Sequence, residues 1–224
     1  AFACPLRTRA DHARMVLIVG GGLAAQRAAE TLRARDHRGP IRVVCGEPVA
    51  PYDRPPLSKE LRAEPFRPAD WYAEQEVELL LGRHAAHLDV GAPRVTLEDG
   101  DDLIVATGAR PRRLPMFAGR PNVHALRTLA DTEALRDALV PGARIAIVGA
   151  GFIGQEVAAT ARGLGVEVTL IEAADVPLAV LGPRLGGWFA DLHREEGVRV
   201  EVGAAVSEVL PAVAGAPVEA LVLA

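Results

Sequence analysis

Cysteine, lysine and aromatic side chains are all scarce in this chain of 224 residues. The two cysteines, Cys4 and Cys45, are too few for a disulfide scaffold, and neither belongs to a Cys-x-x-Cys pair or a Cys/His cluster. The sequence therefore predicts no metal site and favours a reducing, cytoplasmic compartment. Its apolar runs have the length of strands, so we expect no transmembrane helix and no membrane partner.

The charge balance gives no sign of a polyanionic partner. The chain has 25 basic and 29 acidic residues, a net charge of -4 and a pI near 5.9, which argues against nucleic-acid binding. Half of the residues are hydrophobic, and this content excludes intrinsic disorder. Lys59 is the only lysine among the basic residues, which raises the question of what a lysine supplies there that an arginine does not.

From Met15 onward the chain alternates strand and helix patterns. The apolar run 15–19 ends in a glycine turn at 20–22, a helical pattern covers 24–34, and a second buried strand, Ile-Arg-Val-Val-Cys, is predicted over 41–45. Runs that are apolar throughout are typical of strands buried on both faces. The pattern predicts a right-handed parallel β-α-β unit.

The same unit returns later in the chain. A strand is predicted over 144–148, a turn over 149–154, a helix over 155–164 and a strand over 165–171. This internal duplication predicts an α/β protein with two Rossmann-like dinucleotide-binding folds. The sequence also predicts a short helix from Lys59 and a helix that runs into a strand over 71–81. Strands are predicted over 94–97 and 103–106, a helix over 131–139 and an open hairpin at the end of the chain.

Each glycine turn lies where a dinucleotide-binding fold holds a pyrophosphate. In the first, Gly20 allows the tight turn, Gly22 allows close approach of the phosphates, and Ala25 takes the third position, where helix packs on strand. Glu47 ends the next strand, where a carboxylate binds a ribose hydroxyl. The alternative is that the glycines only permit tight turns.

In the second turn the same roles fall to Gly149, Gly151, Gly154 and Glu172. The Glu172 carboxylate would repel the 2′-phosphate of NADPH. No arginine or lysine lies between residues 173 and 182 to bind that phosphate. The second site is therefore expected to prefer NADH, although Arg184 could fold back toward it.

Four segments together resemble a known family. They are the first glycine turn, the loop 52–59 (Tyr-Asp-Arg-Pro-Pro-Leu-Ser-Lys), residues 106–112 (Ala-Thr-Gly-Ala-Arg-Pro-Arg) and residues 149–156. The chain resembles the FAD-dependent, NAD(P)H-linked ferredoxin and rubredoxin reductases of the pyridine nucleotide–disulfide oxidoreductase superfamily, which are related to apoptosis-inducing factor. The resemblance extends from Met15 to about residue 203.

The resemblance implies that the first fold holds FAD and the second holds NADH, with the nicotinamide stacked on the flavin. It places Arg54 and Lys59 along the flavin, and Ala85 or Ala86 against the adenine through the backbone. The further cofactor-binding residues that it implies are Thr107, Gly108, Arg112, Phe152 and Ile153.

Lys59 and Glu156 are the catalytic residues that the resemblance implies. Similar enzymes place a lysine of this loop near flavin N5, paired with a glutamate of the second glycine stretch. A compact ammonium can stabilise the anionic reduced flavin without the bulk of a guanidinium. The alternatives are a solvated surface lysine and an ordinary carboxylate in the first turns of a helix.

The loop 54–59 contains no sulfur, whereas disulfide reductases of this superfamily relay electrons through cysteines beside the flavin. Cys45 lies in an apolar strand and reads as a small core residue. Electrons are therefore expected to leave the flavin singly and directly, to a ferredoxin-type [2Fe-2S] protein. The alternatives are a rubredoxin or other acceptor, a diaphorase, and an NADH-sensing flavoprotein like apoptosis-inducing factor.

The expected organisation is a tail of unknown role over residues 1–14, the first segment of an FAD-binding domain over 15–113 and an NAD-binding domain over 114–224. Members of the family are nearly twice as long, with a second FAD segment and a C-terminal β-rich domain. The chain is therefore expected to be truncated before that domain. A monomer or a weak dimer is expected as its oligomeric state.

Overall fold

The computed structural model describes residues 14–85 and 102–224. The chain divides into two compact units, each with a parallel sheet and a hydrophobic core of its own. The described residues of the first unit are 14–54, 63–85 and 102–109, and those of the second are 55–62 and 110–224. The two Rossmann-like folds predicted from the sequence are confirmed.

The first unit is built on a four-stranded parallel sheet. Its elements are β1 (Val16–Val19), α1 (Leu23–Ala34), β2 (Ile41–Cys45), β3 (Tyr52–Asp53), β4 (Glu64–Pro65), α3 (Ala69–Glu74), β5 (Val77–Leu81) and β6 (Asp102–Val105), numbered with the second unit in chain order. The strand order is β5-β2-β1-β6. Strand β1 is central, and Ile18 pairs with Val43 on one side and Ile104 on the other. This position explains why the run 16–19 carries no polar side chain.

Small side chains bring helix α1 close to this sheet. Ala25 and Ala29 are buried in the core cluster that includes Ile18 and Val43. Tyr72 of α3 completes that core, and its hydroxyl donates a 2.7 Å hydrogen bond to Oε1 of Gln26. A buried phenol thus keeps a polar partner while its ring fills the core.

The second unit has a three-stranded parallel sheet in the order β7-β8-β9 and an antiparallel hairpin of β10 and β11. Its elements are α2 (Pro56–Lys59), α4 (Leu129–Ala138), β7 (Arg144–Val148), α5 (Phe152–Gly163), β8 (Glu167–Glu172), α6 (Pro183–Glu195), β9 (Arg199–Val202), β10 (Val206–Leu210) and β11 (Ala220–Leu223). Helix α5 packs on β8, and α2 packs on α5. Leu61 joins Leu135, Val157 and Leu170 in the core.

Two sequence-based helix starts were wrong by three residues. The short helix ends at Lys59 rather than beginning there, because Pro55 and Pro56 already have the backbone angle that the first helical turn requires. Helix α5 begins at Phe152, so only residues 149–151 form the turn. The predicted strand at 94–97 lies outside the described residues.

Helices α1 and α5 have 12 residues each and α6 has 13. Among the described residues, none of the helices combines the length and hydropathy that a membrane span requires.

Candidate functional site

The first glycine turn joins β1 to α1 at the carboxyl edge of the first sheet. Gly20 has a φ of +135°, and a Cβ there would lie 2.0 Å from the carbonyl oxygen of Ala106, so only glycine fits. At Gly22, the N-cap of α1, no protein atom lies within 4 Å of the Cβ position. The turn is closed against the sheet at Gly20 and open at Gly22, where a ligand phosphate could approach the helix N-terminus.

Glu47 follows β2 at the same edge and is held by two side chains. The Tyr52 hydroxyl donates to its Oε2 at 2.6 Å, and the Arg54 guanidinium donates to its Oε1 at 2.9 Å. Arg54 also lies 5.4 Å from the centroid of the Tyr52 ring. These two hydrogen bonds orient the Glu47 carboxylate at the end of β2.

Tyr52 is a candidate site residue that the sequence reasoning missed. It is buried, and its only signal in the sequence was its position two residues before Arg54 in the 52–59 loop. A buried tyrosine that donates to a carboxylate forms a charge-assisted hydrogen bond. It fixes the Glu47 carboxylate more rigidly than the half-buried Arg54 could alone.

Cys45 lies beneath the glycine turn and is a packing residue. A Cβ at Gly21 would lie 3.0 Å from Cys45 Sγ, and the cysteine is 1% exposed. Burial, with a smaller contribution from the Glu47 charge, raises the pKa of the Cys45 thiol to about 11. The thiol is therefore protonated at neutral pH and is a poor nucleophile.

The remaining residues proposed for the first cofactor lie in different places. Thr107 and Gly108 follow β6 and are exposed, and the Thr107 nitrogen is 3.1 Å from the Cβ position of Gly20. The structure thus brings this segment beside the first turn. Arg112 is exposed and belongs to the second unit, and Ala86 lies outside the described residues.

The second glycine turn repeats the first in its main features. Gly149 has a φ of +103°, and a Cβ at Gly154 would lie 2.1 Å from the Gly149 carbonyl oxygen. At Gly151, the N-cap of α5, no protein atom lies within 4 Å of the Cβ position. Phe152 and Ile153 follow in the first turn of α5 and are 59% and 53% exposed. An open helix N-terminus with exposed apolar side chains beside it can accept a dinucleotide.

Glu172, the last residue of β8, is held by the backbone. Its Oε2 accepts a 2.7 Å hydrogen bond from the Ala150 N–H, inside the glycine turn, and its Oε1 accepts a 2.9 Å bond from the Ala174 N–H. The carboxylate therefore joins the turn to the loop that follows β8. Both oxygens of Glu172 are acceptors in these bonds, which orients the carboxylate.

Lys59 and Glu156 meet where α2 packs on α5. Lys59 Nζ lies 3.5 Å from Glu156 Oε1, and these side chains are 54% and 33% exposed. The other carboxylate oxygen, Oε2, accepts a 2.5 Å hydrogen bond from the Ser58 hydroxyl. Ser58 was not singled out from the sequence, although it directly precedes the lone lysine.

A family assignment comes from comparison with known proteins. The sequence model of the pyridine nucleotide-disulphide oxidoreductase family matches residues 14–215. The chain belongs to that family. The family resemblance predicted from the sequence is thereby confirmed.

Two curated relatives have names that state a function. The benzene 1,2-dioxygenase system ferredoxin–NAD(+) reductase subunit of Pseudomonas putida is 42% identical over 208 residues, which are 87% of this chain and 51% of the relative. The biphenyl dioxygenase system ferredoxin–NAD(+) reductase component of Paraburkholderia xenovorans is 46% identical over 200 residues, which are 83% of this chain and 49% of the relative. The chain thus spans about half the length of these family members.

A solved structure of the family has the same fold. The reductase in the covalent putidaredoxin reductase–putidaredoxin complex matches with a TM-score of 0.85 and 36% identity, over 94% of this chain and 54% of that one. The match supports the two-unit architecture for nearly the whole chain described above.

Proposed function

We propose that this family member takes part in an NADH-dependent flavoprotein reductase that passes electrons to a ferredoxin. The observation that carries the proposal is the repeated glycine turn, which opens a helix at a strand end in each unit, with a glutamate after the next strand. In both turns the N-cap glycine leaves its Cβ space open, so a pyrophosphate fits there without displacing protein atoms. The named functions of the relatives support the same assignment.

FAD is proposed for the first unit, with Gly20, Gly22 and Ala25 at its pyrophosphate and Glu47 at its adenosine ribose. Arg54, Lys59, Ala86, Thr107, Gly108 and Arg112 are the further proposed FAD-binding residues. The proposed first FAD segment is 15–113. Tyr52 and Arg54 orient the Glu47 carboxylate in this assignment, which reduces the entropy lost when a ribose binds.

NADH is proposed for the second unit, within residues 114–224. Gly149, Gly151 and Gly154 would hold its pyrophosphate, Glu172 its ribose, and Phe152, Ile153 and Glu156 the part nearer the nicotinamide. The fixed charge of Glu172 favours NADH over NADPH. Bound flavin supplies the chemistry that accepts two electrons as hydride and releases them one at a time.

Lys59 and Glu156 are the proposed catalytic residues. The Lys59 ammonium would stabilise the negative charge that develops during hydride transfer, and Glu156 would hold that ammonium. Among the described residues, the one free cysteine, Cys45, is buried. This supports direct electron transfer to the acceptor without a thiol relay.

The acceptor is tested with the 224-residue chain reconstituted with FAD. NADH-driven reduction of cytochrome c is measured with and without an added [2Fe-2S] ferredoxin. The proposal predicts at least about tenfold stimulation by ferredoxin, since the iron–sulfur protein carries the single electrons. Equal rates of cytochrome c reduction with and without ferredoxin indicate a diaphorase. A long-lived charge-transfer complex that dimerises on NADH addition indicates a sensor.

The [2Fe-2S] type of the acceptor, a monomeric or weakly dimeric state and a cytoplasmic location stay predictions from the sequence.

A further inference from the structure

The Lys59–Glu156 ion pair does not fix its own geometry. Its charged atoms are 3.5 Å apart, and more than half of the lysine side chain is exposed. Exposed ion pairs are weak because water screens the charges and the long side chains lose rotamer entropy on pairing. A catalytic role for this pair, as in the proposed function, therefore requires other residues to restrict where the lysine lies.

Two hydroxyl groups supply that restriction. The Ser58 hydroxyl donates to Glu156 Oε2 at 2.5 Å, and the same oxygen lies 3.3 Å from the Pro55 carbonyl. A serine has one proton to donate, and a carboxylate is the stronger acceptor. Ser58 is buried, so water competes little for its hydroxyl. This hydroxyl holds Oε2 of Glu156, whereas the 3.5 Å ion-pair distance to Lys59 is measured from Oε1.

Thr160 holds the backbone that carries Lys59. Its Oγ1 lies 2.9 Å from the Ser58 carbonyl oxygen and 3.1 Å from the Lys59 carbonyl oxygen. Carbonyls at a helix C-terminus have no intrahelical donor, so this hydroxyl provides one for the end of α2. Thr160 lies four residues after Glu156 on α5, and residues at this spacing lie on the same helix face.

We propose that Ser58 and Thr160 are positioning residues for the Lys59–Glu156 pair. The Ser58 hydroxyl of α2 holds the Glu156 carboxylate, and the Thr160 hydroxyl of α5 holds the backbone of Lys59. One face of α5 thereby fixes α2. The inference rests on the proposed function for its kinetic consequence. The geometric part stands on the protein alone.

The geometric part is tested on the chain without cofactor. Because Lys59 is the only lysine, labelling lysine with ¹³C at Cε alone gives one side-chain signal whose relaxation reports the motion of Lys59. Thr160→Val keeps the shape but removes the hydroxyl, and we expect a clearly more mobile Lys59. Thr160→Ser should restore the wild-type relaxation, because it keeps the donor.

Thr132→Val is the matched control. Thr132 is buried in the first turn of α4 in the same unit, and its hydroxyl donates to the carbonyl of the N-cap residue Thr128 at 3.1 Å. We expect it to lower stability without changing the Lys59 signal. If Thr160→Val unfolds the chain, Ser58→Ala supplies the same comparison. An unchanged Lys59 signal in the folded variants, or Thr160→Ser as mobile as Thr160→Val, overturns the inference.

The kinetic part uses stopped-flow reduction of the FAD-loaded chain by NADH. Thr160→Val should lower the limiting rate about tenfold with little change in NADH affinity, because displacement of a catalytic group lowers the rate more than it lowers binding. In a Lys59→Met background the same substitution should cause no further loss. An additive loss overturns a role through Lys59. A wild-type chain that NADH does not reduce contradicts the proposed function, while the NMR comparison still decides the geometric inference.

Discussion

Glu47 and Glu172 occupy equivalent places at the carboxyl end of the second strand of each unit, but different groups hold them. Glu47 accepts from two side chains, Tyr52 and Arg54, whereas Glu172 accepts from two backbone N–H groups. A carboxylate held by the backbone is part of the turn itself. Substitution of Glu172 is therefore expected to change both cofactor preference and local stability.

Replacing Glu172 by Ala together with Ala173 by Arg should raise the ratio of kcat/KM for NADPH over NADH by about tenfold or more. The variant removes a negative charge and adds a positive one near the ribose. Ala173→Arg alone is the control, because it leaves the Glu172 hydrogen bonds in place. An unchanged kcat/KM ratio in the double variant would show that Glu172 does not bind the ribose.

Cys45 is expected to matter for packing and not for electron transfer. Cys45→Ala leaves a small cavity beneath Gly21 and should cost about 1 kcal/mol of stability. The rate of flavin reduction by NADH should equal that of the wild type. An inactive Cys45→Ala variant that still binds FAD would contradict direct electron transfer from the flavin.

The same residue predicts an alkaline effect. The folded pKa of Cys45 is raised to about 11, above its ordinary value of 9.0, so its stabilising contribution is complete below pH 9 and is lost as the pH rises toward 11. The expected loss is about 2 kcal/mol at pH 11. Urea unfolding from pH 8 to 11 should show a shallower decline for Cys45→Ala. Parallel declines would show that the thiol does not contribute.

At the scale of elements, the two strand–turn–helix units were largely predictable. Strands β1, β2 and β7 were predicted within one residue, because their apolar runs and the glycines or prolines around them leave few alternatives. Helix α6 was missed although it has 13 residues. Exposed Leu185 and Trp188 blur its amphipathic pattern, and Gly186 and Gly187 lower its helix propensity.

Apart from the Lys59–Glu156 pair, which the family resemblance implied and whose charged atoms lie 3.5 Å apart, the side-chain partners could not be predicted, because they depend on how elements pack. The hydrogen bond from Ser58 to Glu156 spans 98 residues of sequence and that from Tyr52 to Glu47 depends on the course of a loop. Periodicity places a residue on a helix or strand, but it does not fix contacts between distant elements. The tight turn at Gly20 and the close packing at Gly154 were more predictable, since they depend on local backbone geometry.

The two glycines of the first turn should respond differently to alanine. Gly20→Ala puts a Cβ 2.0 Å from the Ala106 carbonyl oxygen at a φ of +135°, so we expect a loss of stability of more than about 2 kcal/mol. Gly22→Ala meets no protein atom within 4 Å, and should fold normally but bind FAD at least about tenfold more weakly, because the methyl group occupies the space of the phosphate.

Thermal unfolding and FAD titration of both variants provide the measurement. A Gly22→Ala chain with unchanged FAD affinity would show that the open space at the first turn does not receive the pyrophosphate.

At the scale of the whole molecule, each unit has its own core and the same strand–turn–helix arrangement of a Rossmann-like fold. The duplication explains how one chain could take two dinucleotides, and the family membership and the relatives' names agree with it. The chain spans about half of those relatives. Its affinity for FAD is therefore a quantity to be measured on this chain itself.

The most direct test of the account is an anaerobic titration of the FAD-loaded chain with NADH, followed by the visible absorption of the flavin. The account predicts a yellow protein that is bleached by one equivalent of NADH, and bleached much more slowly when Lys59 is replaced by methionine. A chain that binds no flavin, or one whose bound flavin keeps its colour with excess NADH, would contradict it.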